Sequence, residues 1–423
     1  MENKKYSQYL IPSLIASVFL STFVLFDGMF VGLKLSDIGL SAINIGWPIV
    51  AIMQSFAMAL GISAGIYISR KMGEGKIEEA SKAKLTSFIL LGIASIIIIL
   101  LIFFLRKPLI YLFGGNSESY KYAEEYLVVY LAGGLPYMLA TALIPLLKNS
   151  GKSKIALISS VVAIIINFTL DYVFIFLLGW GLRGAAFASI IGQVVSFIIS
   201  LIFYIKEFKG VSFNKKLIKE LFVASLAPFI LNYSYDVILA ITNRVAGYYN
   251  GNEAIAAYAL LTYTLYIVNS VAQGVGDGIQ PLFSYYSAKN DKETLKKLLY
   301  KSLLISFFVD LIVIVGFYLL RHQLASLYNL SDESLKIYLY AIPFYSIGFV
   351  IISITKVIAS YFYSISRNLF ANIITVVEPF VLTPFAYLLC IPFGFNALWW
   401  SYLIIQAALL IISIILYRLA ERK

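Results

Sequence analysis

The sequence contains very little cysteine, histidine and charge. Its 423 residues include one cysteine, Cys390, and one histidine, His322. A single cysteine excludes a disulfide framework and a cysteine-based cluster, and a single histidine does not make a metal site. Only 13% of the residues are charged, whereas about a quarter are charged in an ordinary soluble domain. The composition therefore argues against a soluble fold and against a zinc-type metal centre.

Apolar residues are present in large excess. They make up 61% of the chain, and the mean hydropathy is +0.87. A helix needs about 20 apolar residues to cross the hydrocarbon layer of a bilayer, and uncharged stretches of this length recur, for example at 85–105. The basic residues that produce the net charge of +11 lie mostly in the segments between the apolar stretches. They follow the membrane topology, so we expect no nucleic-acid partner. We expect an all-α integral membrane protein surrounded by the lipid bilayer.

Apolar segments alternate with charged or glycine-rich breaks, and twelve of them are long enough to span a membrane. The predicted spans are 9–33, 43–69, 85–105, 123–147, 155–178, 185–205, 220–247, 254–286, 302–320, 337–363, 368–391 and 396–417. The first span follows the amino terminus without a small-residue cleavage site, so we expect no cleaved signal peptide. Twelve spans place both termini on one side of the membrane.

The basic residues indicate which side faces the cytoplasm, because Lys and Arg near span ends gather there. With the amino terminus inside, the cytoplasmic segments hold 24 of the 33 Lys and Arg residues. The outer segments hold 8, and Lys356 remains within a span. We therefore predict that both termini are cytoplasmic.

The two halves of the chain repeat each other. Gly61-x-x-x-Gly65 and Gly274-x-x-x-Gly278 lie 213 positions apart, which is half the chain, and similar polar and aromatic runs follow both. The repeat predicts two parallel six-helix lobes, residues 1–210 and 211–423, joined by a basic linker. Glycines at this spacing often serve only close helix packing. The glycines of both motifs, and likewise Gly28 and Gly32, therefore serve either helix packing or a function, and both interpretations stay open.

Six carboxylates fall within the predicted spans. An ionisable group at membrane depth costs at least about 2.5 to 3.5 kcal/mol, so it usually faces a cavity or a partner and marks an ion path. A carboxylate that is hydrogen-bonded only for packing is the alternative, and we favour it for Asp310, which belongs to no pattern. The six are Asp27, Asp171, Asp236, Asp277, Asp310 and Glu378.

The carboxylates of the first half fall at one depth. Asn167 and Asp171 are four residues apart and share a helix face. Asp27 and Asp171 each precede an outer break by seven or eight residues, which places both about 10 to 12 Å from the outer surface. Two carboxylates and an amide at one depth can bind Na⁺ through oxygen ligands or share a proton.

A charge network is predicted in the second half. Lys356 precedes Arg367 by eleven residues and Glu378 follows it by eleven, so antiparallel helices bring both to one depth, about 16 Å from the cytoplasmic face. Asp277 reaches a similar depth from the eighth span. The network either rearranges during a functional cycle or is a fixed ion pair.

Several motifs resemble one known family, the MATE (multidrug and toxic compound extrusion) transporters, in its bacterial DinF-like and MepA-like branch. The resemblance covers nearly the whole chain. The motifs are Asp27-Gly-Met-Phe-Val-Gly, Leu40-Ser-Ala-Ile-Asn, Asn167-Phe-Thr-Leu-Asp171, Gly181-Leu-Arg-Gly-Ala-Ala-Phe-Ala-Ser-Ile-Ile-Gly-Gln193 and Gly274-Val-Gly-Asp-Gly-Ile-Gln-Pro-Leu-Phe-Ser-Tyr.

The resemblance implies residue roles as well as a fold of two six-helix lobes. Residues that match the family's amino-lobe ion site, where Na⁺ or H⁺ binds, are Asp27, Asn167 and Asp171, with Ser189 where threonine is usual. Pro12 matches a first-helix proline and is the candidate hinge. A carboxyl-lobe ion or substrate site does not follow the family pattern, because Asp277 and Glu378 depart from the usual residues. Its candidates are Asp236, Asp277, Lys356 and Glu378.

The resemblance also implies the activity, which is export of organic compounds by alternating access, driven by inward H⁺ or Na⁺ flow, with no other cofactor. Mostly acidic residues within the spans favour cationic, amphiphilic cargo. We expect a monomer in the bacterial cytoplasmic membrane. A flippase for lipid-linked saccharides from the same superfamily is the alternative. We expect no enzyme, since no His-Glu-x-x-His or comparable catalytic motif is present.

The predicted topology can be tested by cysteine accessibility. Single cysteines at Lys215 or Lys296, in a Cys390→Ala background, should react with a membrane-impermeant reagent only from the cytoplasmic side, because both positions belong to the basic segments. A cysteine at Lys336 is the matched control and should react from outside. Labelling of Lys215 or Lys296 positions from outside would contradict the topology.

Overall fold

The structure, a computed structural model, describes residues 6–205, 212–365 and 367–421, and these are almost wholly helical. In chain order the helices are α1 (Tyr6–Gly73), α2 (Ile77–Leu112), α3 (Ser119–Ala132), α4 (Gly134–Asn149), α5 (Ser153–Asp171), the π-helix π1 (Tyr172–Leu177), α6 (Gly181–Ile205), α7 (Lys215–Ala288), α8 (Lys292–Leu319), α9 (Arg321–Leu327), α10 (Asp332–Ser364), α11 (Asn368–Val377), the π-helix π2 (Glu378–Leu382), α12 (Thr383–Tyr387), α13 (Cys390–Phe393) and α14 (Ala397–Glu421).

Helices α1 and α7 each contain two spans. They run for 68 and 74 residues, or roughly 100 Å, whereas the hydrocarbon layer is about 30 Å thick. A non-helical break divides each one, at Ser36 (φ 51°, ψ −145°) in α1 and at Gly251 (φ 58°, ψ −142°) in α7. The two halves of the chain therefore turn through the same backbone conformation at corresponding places.

The structure confirms the predicted all-α membrane fold of twelve spans. Within the described residues, nine helices are long and apolar enough to cross a membrane, and the bent pair α3 and α4 adds a tenth. The breaks in α1 and α7 divide two of these ten into two spans each. The total agrees with the twelve apolar segments of the sequence.

Some predicted straight spans are bent. The span predicted at 123–147 is the pair α3 and α4, which meet at 66°. Two successive glycines, Gly133 and Gly134, precede Pro136, whose missing N–H removes a helical hydrogen bond. The span predicted at 368–391 is divided into α11, π2, α12 and α13. Pro379, Pro384 and Pro392 lack the backbone N–H group that a continuous helix would use for its hydrogen bonds.

The helices form two compact units, residues 1–40 with 241–423 and residues 41–240. In the first unit, the segment after the first span is tied to the start of α10. The Asp37 carboxylate accepts hydrogen bonds from the Ser331 backbone N–H (3.0 Å) and the Ser334 hydroxyl (2.5 Å). The units follow packing, whereas the division at residue 210 follows the sequence repeat and stays a prediction.

Small residues bring the helices of each unit close together. A Cβ atom on Gly61 would lie 2.5 Å from the Ala142 carbonyl oxygen, and one on Gly274 would lie 2.9 Å from Leu14 Cα. No side chain fits at these distances, so glycine is required where α1 meets α4 and where α7 meets the first span. This geometry supports the packing interpretation of the Gly-x-x-x-Gly motifs.

The break in α7 generates a stability prediction. Gly251 has a positive φ of 58°, which an L side chain adopts only at a cost of about 1 to 3 kcal/mol. We therefore expect Gly251→Ala to lower the melting temperature of the detergent-solubilised protein. Gly92→Ala is the matched control, because Gly92 lies within α2 with open space around it. Equal melting temperatures for the two variants would contradict the prediction.

Candidate functional site

Asp27 lies on the first span beside two tyrosines of the same unit. The rings of Tyr263 and Tyr328 stack with centroids 5.3 Å apart, and both tyrosines interact electrostatically with the Asp27 carboxylate. The Tyr328 hydroxyl donates to the Leu25 carbonyl oxygen at 2.7 Å. The Oδ1 atom of Asp27 is buried without a hydrogen-bond partner. A buried carboxylate oxygen in this state is available to a proton or a cation.

Gly28 and Gly32 make this arrangement possible. A Cβ atom on Gly28 would lie 2.2 Å from Tyr263 Cζ, and one on Gly32 would lie 2.4 Å from the Tyr328 carbonyl oxygen. Both glycines thus admit an aromatic residue beside Asp27. Next to them is a small cavity of about 120 Å³ with an apolar and aromatic lining of Leu25, Phe26, Met29, Leu260, Tyr263, Phe317, Leu324, Leu327 and Tyr328.

Three predicted site residues lie in the unit of residues 41–240, on α5 and α6. The Asn167 amide donates to the Ser189 hydroxyl at 3.1 Å, which links the two helices. Asp171 is one turn further along α5 and is only 1% exposed. The π-helix π1 begins at the next residue, and such helices recur at functional sites because they shift the following side chains by one position.

Asp236 packs in the same unit as Asp171. It is buried, and the Trp47 indole hydrogen-bonds to its carboxylate. One turn earlier, the Tyr233 hydroxyl donates to the Pro48 carbonyl oxygen at 3.1 Å. The sequence groups Asp236 with the second half by its number, but packing places it with residues 41–240.

Glu378 is a buried carboxylate of the other unit, at the start of π2. Glu378 Oε1 accepts a hydrogen bond from Gln406 Nε2 at 2.6 Å, and Gln406 is fully buried on α14. The Glu378 carbonyl oxygen accepts from the Thr383 hydroxyl at 2.9 Å. Hydrogen bonds therefore hold both the side chain and the backbone of Glu378 where the α-helix changes to a π-helix.

Aromatic side chains surround this carboxylate. Tyr345 and Tyr402 stack in parallel with centroids 4.1 Å apart, and the Tyr387 hydroxyl is 2.6 Å from the Thr242 hydroxyl. Tyrosines within electrostatic range of Glu378 are Tyr258, Tyr387 and Tyr402. Such a group offers rings and hydroxyls to a flat cation beside a negative charge.

Lys356 and Glu378 interact, as the helical arithmetic predicts. Lys356 is exposed on α10, and its ammonium is within electrostatic range of the Glu378 carboxylate. The side chains of Asp277 and Pro12 lie outside the described residues, so their predicted roles stay predictions. Among the described residues, no group of three or more His, Cys, Asp and Glu side chains is arranged to hold a metal ion.

The two halves share a polar link between their fifth and sixth spans. Asn167 binds Ser189 in the first half, and Glu378 binds Gln406 in the second. Sequence reasoning missed Gln406, although a signal was present, since it follows Gln193 by the repeat offset of 213 positions. No comparable repeat in the sequence marks Trp47, which hydrogen-bonds to Asp236.

A family sequence model named MatE matches the chain twice, at residues 12–173 and 228–388. The chain belongs to the MatE family. Its two matches confirm the duplication that the glycine motifs predict. MatE proteins are transporters, so this chain is a multi-pass helical membrane transporter and not an enzyme.

The MatE chain is similar along its length to named relatives. It is 24% identical to the Multidrug export protein MepA of Staphylococcus saprophyticus, over 98% of this chain and 94% of the relative. It is also 24% identical to MepA of Staphylococcus aureus strain MRSA252, over 99% and 94%. The chain therefore spans nearly the whole length of these relatives.

Solved structures of MatE transporters share the fold. One multidrug resistance MATE family transporter of the MOP superfamily, solved in an inward-facing conformation, gives a TM-score of 0.84 at 20% identity, over 94% of this chain and 93% of that chain. The multidrug transporter DinF-BH, solved in complex with a ligand, gives 0.73 at 24% identity, over 98% and 95%. At these identities the likeness establishes the fold.

The coupling of Lys356 and Glu378 generates a double-mutant prediction. Glu378→Gln removes the counter-charge of Lys356, so it should lower stability or transport, and adding Lys356→Met should restore part of the loss. Leaving one charge of a fully buried pair without its partner costs about 3 to 5 kcal/mol, which sets the upper limit of the effect expected here. Melting temperature and transport rate measure the effect. A double variant no better than Glu378→Gln would contradict the pairing.

Proposed function

We propose that this transporter exports organic cations in exchange for inward-moving H⁺ or Na⁺, by alternating access. The observation that carries the proposal is that most of the charged side chains buried in the protein are acidic. Among the described residues, the four buried acids Asp171, Asp236, Asp310 and Glu378 outnumber the interior bases, which are Lys84 and Lys356. An acidic interior stabilises a cation that has lost its water, and it disfavours an anion.

The relatives support the same activity. The Staphylococcus proteins are named multidrug export proteins, and the multidrug transporter DinF-BH has been solved with a ligand bound. The aromatic side chains around Asp27 and Glu378 suit flat, amphiphilic cargo, because rings offer both apolar area and attraction for positive charge. Glu378 and its tyrosines are accordingly proposed to contact cargo.

The coupling cation is proposed to bind at Asp27 in one unit and, in the other unit, at Asp171 with Asn167 and Ser189. A carboxylate changes its charge when it takes up a proton, and it also ligates Na⁺ directly. The amide of Asn167 holds the Ser189 hydroxyl at 3.1 Å, which orients two further oxygens. This oxygen-rich set suits either ion, so both H⁺ and Na⁺ remain within the proposal.

Exchange requires that cargo and cation bind in turn. Moving one charge through 100 mV supplies about 2.3 kcal/mol, which can drive export only if binding of the cation at its carboxylates and binding of cargo at Glu378 disfavour each other. We place the protein as a monomer in the bacterial cytoplasmic membrane with both termini in the cytoplasm. This orientation follows from the basic excess of the cytoplasmic segments.

A flippase for lipid-linked saccharides is the second candidate. Lys356 favours it, because an exposed ammonium within a span could bind a phosphate group. Its electrostatic interaction with Glu378 opposes this use. Vesicles containing a fluorescent lipid-linked saccharide distinguish the candidates, since a flippase moves the lipid without an ion gradient.

The proposal predicts the effect of neutralising the two aspartates. Purified protein in vesicles, with a pH or Na⁺ gradient imposed separately, should move a fluorescent organic cation against its gradient. Asp27→Asn and Asp171→Asn should each abolish the response to the gradient, because an amide cannot change charge. Asn167→Ala should weaken the response several-fold without abolishing it, since it removes a neutral ligand.

The control for these variants is Asp332→Asn, at an exposed position in the first turn of α10. It should transport as the wild type does. Melting temperatures close to that of the wild type would establish that the aspartate variants are folded. Full gradient-driven transport by both aspartate variants would contradict the proposed coupling site and move attention to Asp236 and Asp277.

A further inference from the structure

Asp310 lies apart from the residues proposed to bind cargo and cation. It sits in the middle of α8 and is fully buried, with an exposed fraction of 0%. Its neighbours come from its own helix and from α10, against which α8 packs. They are two serines, Ser306 one turn earlier on α8 and Ser353 on α10, and both are also fully buried.

The three side chains form a closed triangle of oxygen atoms. The hydroxyl oxygens of Ser306 and Ser353 both lie within hydrogen-bond distance of Asp310 Oδ2, the first at 3.3 Å and the second closer. The two serine oxygens are themselves only 2.6 Å apart, a hydrogen-bond distance. The other carboxyl oxygen, Oδ1, is buried without a hydrogen-bond partner.

A count of hydrogens shows which form of Asp310 fits the triangle. Three contacts need three hydrogens, and two serine hydroxyls supply two. If Asp310 is ionised, both serines donate to it and no hydrogen remains between the serine oxygens. If Asp310 is a carboxylic acid, its own hydrogen completes a ring in which each oxygen donates once and accepts once. The neutral acid therefore satisfies all three contacts.

The surroundings favour the neutral form as well. A buried carboxylate without a counter-charge is strongly destabilised, and it takes up a proton instead. No charged side chain among the described residues interacts electrostatically with Asp310. The nearest bases along α8 and α10 are engaged elsewhere, with Lys301 over the Tyr6 ring at 4.3 Å and Lys356 in range of Glu378.

We propose that Asp310, Ser306 and Ser353 form a proton-binding site between α8 and α10. Asp310 holds a proton while these helices are packed as in this structure, and it releases the proton when Ser353 moves away and water enters. Proton occupancy and the packing of the two helices are then thermodynamically linked, so each stabilises the other. The site does not depend on the cargo or on the coupling ion proposed above. Its counterparts 213 positions earlier, Ile97, Ile93 and Ala140, carry no ionisable group, so it is a property of the second half alone.

Infrared difference spectroscopy of the purified full-length protein at pH 7 tests the protonation. The spectrum of the wild type minus that of Asp310→Asn should contain the carbonyl band of one protonated carboxylic acid, and the band should shift in D₂O. Asp332→Asn, at an exposed position, is the matched control and should give no such band. Absence of the band from the Asp310→Asn difference would overturn the proposal, because a bare or metal-bound carboxylate absorbs elsewhere.

A second variant keeps the test decisive if Asp310→Asn does not fold. Ser353→Ala should shift the same band in the wild-type-minus-variant difference spectrum, because it removes one of the two hydrogen bonds at the hydroxyl oxygen of the acid. An unshifted band would contradict the triangle.

Hydrogen exchange tests the link to helix packing. When the pH is raised until the band disappears, exchange protection in α8 around residues 303–313, corrected for the intrinsic pH dependence of amide exchange, should fall in the wild type and stay constant in Asp310→Asn. Unchanged protection in the wild type would show that the proton is not tied to the contact between α8 and α10.

Discussion

The structure depends on the cost of placing polar groups in hydrocarbon. Every backbone N–H and C=O within the bilayer must be hydrogen-bonded inside the protein, so the chain crosses it as helices. The same cost applies to side chains, and it determines what surrounds the buried acids. Asp236 is bonded to Trp47, Glu378 to Gln406 and Asp310 to two serines. Asp27 and Asp310 each retain a buried carboxyl oxygen without a hydrogen-bond partner, and we propose cation or proton binding at both.

The duplicated architecture supplies two versions of one framework. Both halves turn at a positive-φ residue between their first two spans, and both have a π-helix at an acidic residue of the fifth span. The chemistry at these shared places differs. The first half presents an amide and a hydroxyl beside Asp171, whereas the second presents Gln406, tyrosines and the Lys356 charge around Glu378. Duplication therefore fixed the helix geometry and left the side chains free to diverge into an ion site and an aromatic site.

Much of the fold could be predicted from the sequence, because hydropathy reflects the dominant energy. The twelve spans, the duplication and the shared face of Asn167 and Asp171 follow from local patterns. The bend between α3 and α4 also had a local cause, in two glycines and Pro136, but hydropathy alone does not register it. Contacts between segments that are distant in the sequence could not be predicted. No local pattern shows that Asp37 would bind Ser331 and Ser334 or that Trp47 would bind Asp236.

The same limit applies to Asp310, whose packing interpretation remains an alternative to the proposed proton site. Its sequence neighbours are apolar and match no motif, so a packing role was the favoured interpretation. The triangle with Ser353 becomes visible only when α8 and α10 are placed together, because the partner is 43 positions away. Glu378 shows the opposite case, since helical arithmetic along two adjacent spans was enough to bring it into range of Lys356.

The central claim is that binding of cargo and binding of the coupling cation to the buried carboxylates disfavour each other. Its most direct test is an equilibrium one, the dissociation constant of a fluorescent organic cation for the detergent-solubilised protein across a series of pH values and Na⁺ concentrations. The account predicts that affinity falls as one of the two cations increases, because linked binding is reciprocal, and that Asp171→Asn removes this dependence. A cargo affinity independent of both H⁺ and Na⁺ in the wild type would contradict it.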